Sequence, residues 1–408
     1  MKKSKPIFLI FPILGWGFAT LLVVARDRKP QPDKAIVMGT VLDAASMTLL
    51  PGVEVSFRSQ KVTSDKTGHY QIEVPYGVRE ISFSAPNHPP VRKLLIVRQP
   101  GSRVRQDALL PNSPGMPPKV LALDRGSRVG PHGKDLDYDV PADSNISLAD
   151  EYGNHDQLLT LNAGQSRAHS PVCLNATTIA YGKEGLVHDA EKSKLQGVFQ
   201  FQSDSSRIQQ MASELGIRFL SKSPQKDALA IVGDKDLYIL GSLSNPASLR
   251  RIFGLDAHEG FLLSLDWAAD DRIYFTVDDQ VLLDDRHYLN HSRIASIKVD
   301  GTDLRPAWAS DPQYSYRYPM NGEGAEIIFC RFALDGSQQT LWSRNIRTGK
   351  TQHVAEPALR AVYMDSGASR LYYIYRQDLH LRDLKTGADW VIVNSVKEAD
   401  YLRPISRP

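Results

Sequence analysis

Short apolar runs recur at an even spacing over the last three-fifths of the chain: Ile179–Tyr181, Leu229–Val232, Ile273–Val277, Ile327–Phe332 and Leu371–Tyr375. Each is followed by a second strand-like run and then a tight turn, at Asp204-Ser205, Asn245-Pro246, Asp300-Gly301, Thr348-Gly349 and Thr386-Gly387. The first residues of successive runs lie 50, 44, 54 and 44 positions apart. Runs this short, bounded by turn formers, read as strands. A self-similar unit of about 40–50 residues made only of strands is how a β-propeller blade is written. Ile217–Pro224, Phe261–Ala268, Tyr314–Met320 and Leu359–Asp365 each lead into the next apolar run and supply a further strand per module. Five modules are visible from Gly164 onward. The tail Tyr401–Ile405 has the character of an opening strand, and completing the first blade with it would close a ring and leave few unpaired edges. The pattern therefore predicts a propeller over residues 119–408 with six blades, seven being the alternative count. Lys119–Ala163, rich in turn formers and acidic groups, is either an atypical first blade or an excursion packed on the ring.

Upstream, residues 35–111 carry a different pattern. Ile36–Val41 reads as a strand, and Val53–Phe57, Tyr70–Val74 and Ile81–Phe83 alternate apolar and polar as half-buried strands do. Pro51-Gly52, Asp65–Gly68, Tyr76-Gly77 and Pro86-Asn87 supply turns at strand-length spacing, which together predict a small β-sandwich. Pro111–Pro118, with four prolines, reads as a linker to the propeller. Residues 1–29 form a third unit. Pro6–Ala25 is an uncharged run of apolar and small residues behind Lys2, Lys3 and Lys5, long enough to span a hydrocarbon core of about 30 Å. It is expected to be a signal-anchor transmembrane helix, or a cleaved signal if Val23-Val24-Ala25 is processed. Arg26, Arg28, Lys29 and Lys34 follow the run, so the positive-inside count does not choose an orientation.

Two resemblances follow from these residues. Gly39-Thr40-Val41, then Pro51–Val55, then Thr63–Tyr70, followed by the apolar pair Ile72–Val74 and Ile81–Ala85, resembles the carboxypeptidase regulatory-like domain. Val53 stands where that pattern usually has alanine. The resemblance implies a transthyretin-like sandwich serving as a non-catalytic accessory module in an exported protein. Within the motif, Gly68 is expected to permit a hairpin turn and Asp65 to accept backbone hydrogen bonds inside it. The strand-turn-strand stretches around Asp300-Gly301, Thr348-Gly349 and Thr386-Gly387 resemble TolB-like and WD40-like blades, as does the Ser221–Pro224 turn.

Composition narrows the function classes. The net charge of +3 is the residue of 49 basic and 46 acidic groups, without a basic stripe, so nucleic acid is not an expected partner. Cys173 and Cys330 are the only cysteines and fall in the first and fourth visible modules, too far apart in a ring to bridge. Both are expected to be buried free thiols.

Candidate chemistry is sparse. No G-x-S-x-G, G-x-x-x-x-G-K-[ST] or G-x-G-x-x-G occurs, so no nucleophile elbow or phosphate cradle is indicated. His188 and Glu191 match an H-x-x-E zinc pair, but two fixed positions arise readily by chance and a solvated loop between two blade strands is the better reading. Asp135, Asp137 and Asp139 share one face of a would-be strand, but Val140 and Ile146 stand where a calcium loop needs Gly and Glu. His287 and His291 lie among loop-forming residues and receive no role. No catalytic, cofactor-binding or metal-ligating residue is assigned, and no cofactor is implied. Tyr314, Tyr316 and Tyr318 share a face by alternation and form the candidate recognition surface, with blade packing as the competing role.

The sequence thus describes an all-β, envelope-anchored, extracytoplasmic protein (periplasmic or extracellular, secreted if the signal is cleaved). Its expected function is non-catalytic protein binding or scaffolding through a propeller face. Carbohydrate binding is the first alternative, and a propeller hydrolase or lyase the second.

Overall fold

The computed structural model describes residues 34–112, 119–127, 143–160, 166–175, 177–185, 196–203, 205–213, 215–233, 235–256, 260–284, 287–308, 311–322, 325–334, 338–365 and 367–402. The run Pro6–Ala25, the carboxylates Asp135, Asp137 and Asp139, and the pair His188/Glu191 lie outside them. Among the described residues no helix is long and apolar enough to cross a membrane. Their regular elements are strands, apart from one 3-10 turn at Pro246–Ser248.

The first eight strands form two facing sheets. In one, Lys34–Asp43 pairs antiparallel with His69–Pro75 and parallel with Arg103–Arg105 and Ala108–Leu110. The other runs Gln60–Thr63, Glu54–Phe57, Gly77–Ala85, His88–Val97 in spatial order. Alternation sets the core: along His69–Pro75, Tyr70, Ile72 and Val74 are buried while His69, Gln71 and Glu73 are exposed. They meet Val55, Ile81, Phe83 and Leu95 from the opposite sheet, Tyr70 lying edge-on to Phe83 with ring centroids 5.3 Å apart. The strands bearing Ile72–Val74 and Ile81–Ala85 therefore face each other across the core and do not pair. Gly39 lies where a Cβ would sit 1.9 Å from the Gln106 carbonyl oxygen, which Tyr70 also contacts through its hydroxyl at 2.6 Å. At the Asp65–Gly68 turn, Gly68 takes φ +71°, and Asp65 Oδ1 accepts from the amides of Thr67 at 2.8 Å and His69 at 3.0 Å.

From Lys119 on, the strands form six four-stranded antiparallel sheets, here blades I to VI. Their inner strands are Val396–Tyr401 (I), Ser166–Cys173 (II), Phe219–Lys222 (III), Phe261–Trp267 (IV), Tyr314–Asn321 (V) and Arg360–Asp365 (VI). Each inner strand touches the inner strands of both neighbouring blades, so the ring is closed. Lys119–Ser127, Asp143–Asp150 and Gln157–Leu158 provide the outer strands of blade I. The closing strand is Val396–Tyr401 rather than the expected Tyr401–Ile405. Its position is set by Val396 and Ala399, which bury between blades VI and I as the strand pairs with Lys119–Ser127.

Each junction between neighbouring blades holds its own apolar cluster. Ile327 and Phe329 pack toward blade IV, for example, while Ile328 and Cys330 pack toward blade VI. A blade is thus buried on both faces, which is why its second strand reads as an unbroken apolar run. His287 and His291 belong to a strand, not a loop: Arg272–Asp284 and His287–Lys298 pair along their lengths as one long hairpin. Cys173 in blade II and Cys330 in blade V are buried free thiols, and burial pushes both thiol pKa values up.

The sandwich packs across the junction of blades VI and I, where the ring closes. Leu42, Ala44 and Leu109 join the same cluster as Leu121, Ile392 and Val396. Lys93, 1% exposed, donates from Nζ to the carbonyls of Tyr152 at 2.8 Å and Ile392 at 2.9 Å. Asp107 accepts from the amides of Thr40 at 2.7 Å and Val391 at 2.8 Å. Asn394 binds the backbone of Ile96 through both ends of its amide, and Arg125 is paired with Asp156 beneath it.

Candidate functional site

The axis of the ring is closed by side chains rather than left open. Blades III and VI stand opposite each other in a ring of six, so a contact between their inner strands crosses the axis. Phe219 and Arg360, the first residues of those two strands, make that contact: the Arg360 Cζ lies 4.9 Å from the Phe219 ring centroid. Tyr318 of blade V completes the group, 5.8 Å from Arg360 Cζ and 6.5 Å from Phe219 between ring centroids. The inner strands also carry Arg167 (II) and Lys397 and Glu398 (I), with Arg218 just before the inner strand of III; the charge of Glu398 reaches Tyr318. The Arg218 guanidinium lies over Phe261 of blade IV at 5.3 Å. Phe219, Tyr318 and Arg360 thus form an axial mouth that mixes cationic and aromatic groups.

Below the mouth, the ring-closing strands oppose two acids. Asp124 and Glu398 are register partners, so their side chains project from the same face of blade I. Asp124 is fully buried, and neither of its carboxylate oxygens has a hydrogen-bond partner. Burial, and then the charge of Glu398, push its pKa up to about 7 against the opposing pull of Lys397, His169 and Arg167. Lys397 is lowered chiefly by its own burial. Glu184, whose Oε1 is 3.6 Å from His169 Nε2, is raised by burial. The His169 ring, Arg167 and Arg218 outweigh that and hold it below the usual carboxylate range.

The scaffold under the mouth is stiffened by side chains that tie inner strands together. Asp266 of blade IV accepts from Ser221 Oγ of blade III at 2.7 Å and from the Asn321 amide of blade V at 2.5 Å. Arg317 donates from Nε to Ser292 Oγ at 2.7 Å and from Nη2 to Asp278 Oδ1 at 3.3 Å, joining blades V and IV. A separate cleft of about 510 Å³ opens between blades IV and V beside Ala268, Tyr274 and Ile346; the arginines on its rim, Arg305 and Arg347, are exposed.

The three predicted tyrosines do not act together. Tyr314 and Tyr316 belong to the cluster between blades IV and V, where Tyr316, 7% exposed, packs on Trp308 and Phe329. Tyr318 belongs to the junction of blades V and VI and reaches the axis. The alternation ends at a β-bulge between Arg317 and Met320, where Tyr318 takes φ +55° and turns away from the other two. Phe219, Arg218 and Arg360 were not singled out from sequence. The available signal was their shared place at or beside the start of an inner strand, visible once the modules are aligned on that strand. Among the described residues no group of three His, Cys, Asp or Glu side chains is arranged to hold a metal.

No protein-family model matches the chain, and neither does any curated protein sequence. Solved structures do match. TolB from Acinetobacter baumannii aligns at 13% identity and a TM-score of 0.50, over 81% of this chain and 80% of that one. An oligogalacturonate lyase from Vibrio parahaemolyticus aligns at 11% identity and TM-score 0.44, covering 78% and 85%. A gluconolactonase from Xanthomonas campestris aligns at 12% identity and TM-score 0.41, covering 70% and 90%. The chain has the TolB-like β-propeller fold; the two enzyme matches are too loose to bear on its chemistry.

Proposed function

We propose that this chain is a non-catalytic binding or scaffold protein of the cell envelope, and that its propeller recognises a protein partner at the axial mouth. The observation that carries the proposal is the floor of that mouth, where Phe219, Tyr318 and Arg360 from three blades stack into one amphipathic surface. Aromatic and arginine side chains of this kind, half-buried on a rigid frame, are the ones that anchor protein interfaces. The frame is rigid because the ring is closed and then clasped by the sandwich, so a partner meets a surface that needs little ordering on binding. Tyr318 is the tyrosine assigned to recognition; Tyr314 and Tyr316 pack the blade.

The sandwich is assigned to the carboxypeptidase regulatory-like type on its motifs at Gly39–Val41, Pro51–Val55 and Thr63–Tyr70. Its contacts with blades VI and I support an accessory, structural role. Export with a membrane anchor is assigned on the uncharged run Pro6–Ala25, and the folded domains are assigned outside the cytoplasm, as is usual where such a segment precedes folded β domains. Crosslinking in intact cells, followed by mass spectrometry, tests the assignment. A protein captured by the wild type and lost from a Phe219→Ala/Tyr318→Ala variant that still melts cooperatively supports it. Unchanged capture by that variant, or capture of nothing specific by either, refutes it.

A further inference from the structure

Arg360 is held firmly but not neutralised. Its guanidinium stacks on Phe219 and lies near Tyr318, yet the buried Nη1 has no hydrogen-bond acceptor. Among the described residues no carboxylate forms an ion pair with it, and Nε and Nη2 are not among its buried atoms. The other cations of the mouth are differently placed: Lys397 feels Asp124 and Glu398, while Arg167 and Arg218 feel Glu184. A guanidinium clasped by aromatic faces keeps its donors in one plane, the arrangement that a carboxylate satisfies with two parallel hydrogen bonds. Nε and Nη2, left open, present an edge of that plane to an incoming carboxylate, which would satisfy donors now without a protein partner.

We propose that Arg360 anchors a carboxylate of an acidic peptide segment entering the axial mouth, a step that rests on the mouth being a site of protein recognition. Arg167, Arg218 and Lys397 add positive charge on or beside the inner strands of blades II, III and I, partly offset by Glu184 and Asp124, and Phe219 and Tyr318 provide apolar walls for the peptide's methylene groups. Glu398 is an acid whose charge is felt at Tyr318, the anchor's aromatic partner. It therefore opposes the ligand and sets an upper bound on affinity.

The test uses the full chain and fluorescein-labelled hexaglutamate with an amidated C-terminus, read by fluorescence anisotropy at low ionic strength. Hexaglutamine and hexalysine peptides serve as controls. Hexaglutamate is expected to bind and the controls not to. Arg360→Gln should weaken binding by about tenfold or more, since the interaction lost is charged and partly buried. Arg360→Lys, which keeps the charge but not the fork, should fall between the two. Glu398→Gln should strengthen binding a few-fold, and this pair of variants keeps the test open if Arg360→Gln does not fold. Equal affinity of Arg360→Gln and wild type overturns the proposal, as does equal binding of hexaglutamine. Binding of a uronic-acid oligomer or inorganic phosphate through Arg360, with no binding of hexaglutamate, overturns it too. Capture of the cellular partner that survives Arg360→Gln removes the anchor while leaving the recognition site standing.

Discussion

Replacing Asp124 with asparagine should remove most of the stability that this protein loses between mildly acidic and mildly basic pH. Asp124 is fully buried beside its register partner Glu398, and its folded pKa is about 7. In the unfolded chain an aspartate titrates near 3.9. The folded state therefore holds the proton more tightly, and the stabilisation is complete below about pH 4 and lost as pH rises through about 7. Three pKa units correspond to about 4 kcal/mol in full, of which about 2–3 kcal/mol falls between about pH 5 and pH 8. In a ring of this size that is a drop in Tm of roughly 5 °C. Asparagine cannot ionise, but its amide is left without partners in the same place, at a pH-independent cost of about 1–3 kcal/mol. The variant should thus be less stable than wild type at about pH 5 and similar to it at about pH 8, with a shallower profile between; the slope that remains comes from Asp150, whose pKa burial raises to about 6. Urea unfolding at several pH values gives both curves. A variant whose stability falls with pH as steeply as the wild type would show that Asp124 is not the group responsible.

Other consequences are equally direct. Lys93→Met orphans the carbonyls of Tyr152 and Ile392 and should cost about 2–4 kcal/mol by chemical denaturation. Burial lowers Lys93 to about 8, so the charged form is disfavoured in the fold and wild-type stability gains a rising contribution above that pH, which the methionine variant should lack. Asp266→Ala removes the acceptor shared by Ser221 and the Asn321 amide, and should lower stability by about 3 kcal/mol in a urea titration. Tyr316→Ala empties a site packed on Trp308 and Phe329 and should cost about 3–5 kcal/mol while leaving partner capture intact, unlike changes at Tyr318.

The blades were legible because burial on both faces writes an unmistakable signal. Leu229–Val232 and Leu371–Tyr375 are unbroken apolar runs for that reason. The sandwich was legible through the opposite pattern, the strict alternation of His69–Pro75 over a single core. Blade I was hard to see because its strands come from both ends of the propeller segment and its outermost strand, Gln157–Leu158, is two residues long. The tyrosine face failed at one bulge, since a single residue in the left-handed region reverses every side chain after it. The clasp between sandwich and ring was invisible for a different reason. Lys93 reads as a surface lysine in a strand, and its acceptor on Ile392 is 299 residues away. The axial residues share that difficulty: no periodicity announces that Phe219 and Arg360 will meet across a ring.

The central claim, that the axial mouth is where a protein partner is recognised, is tested most directly by site-specific photo-crosslinking in intact cells. A photoreactive amino acid at position 318 faces the mouth, while one at position 208 lies on the outermost strand of blade II, where Ile208 is 55% exposed. A discrete adduct with one protein from position 318, absent from position 208, is the result this account predicts. An adduct of the same protein from position 208 and none from position 318 would place recognition on the rim of the propeller and contradict it.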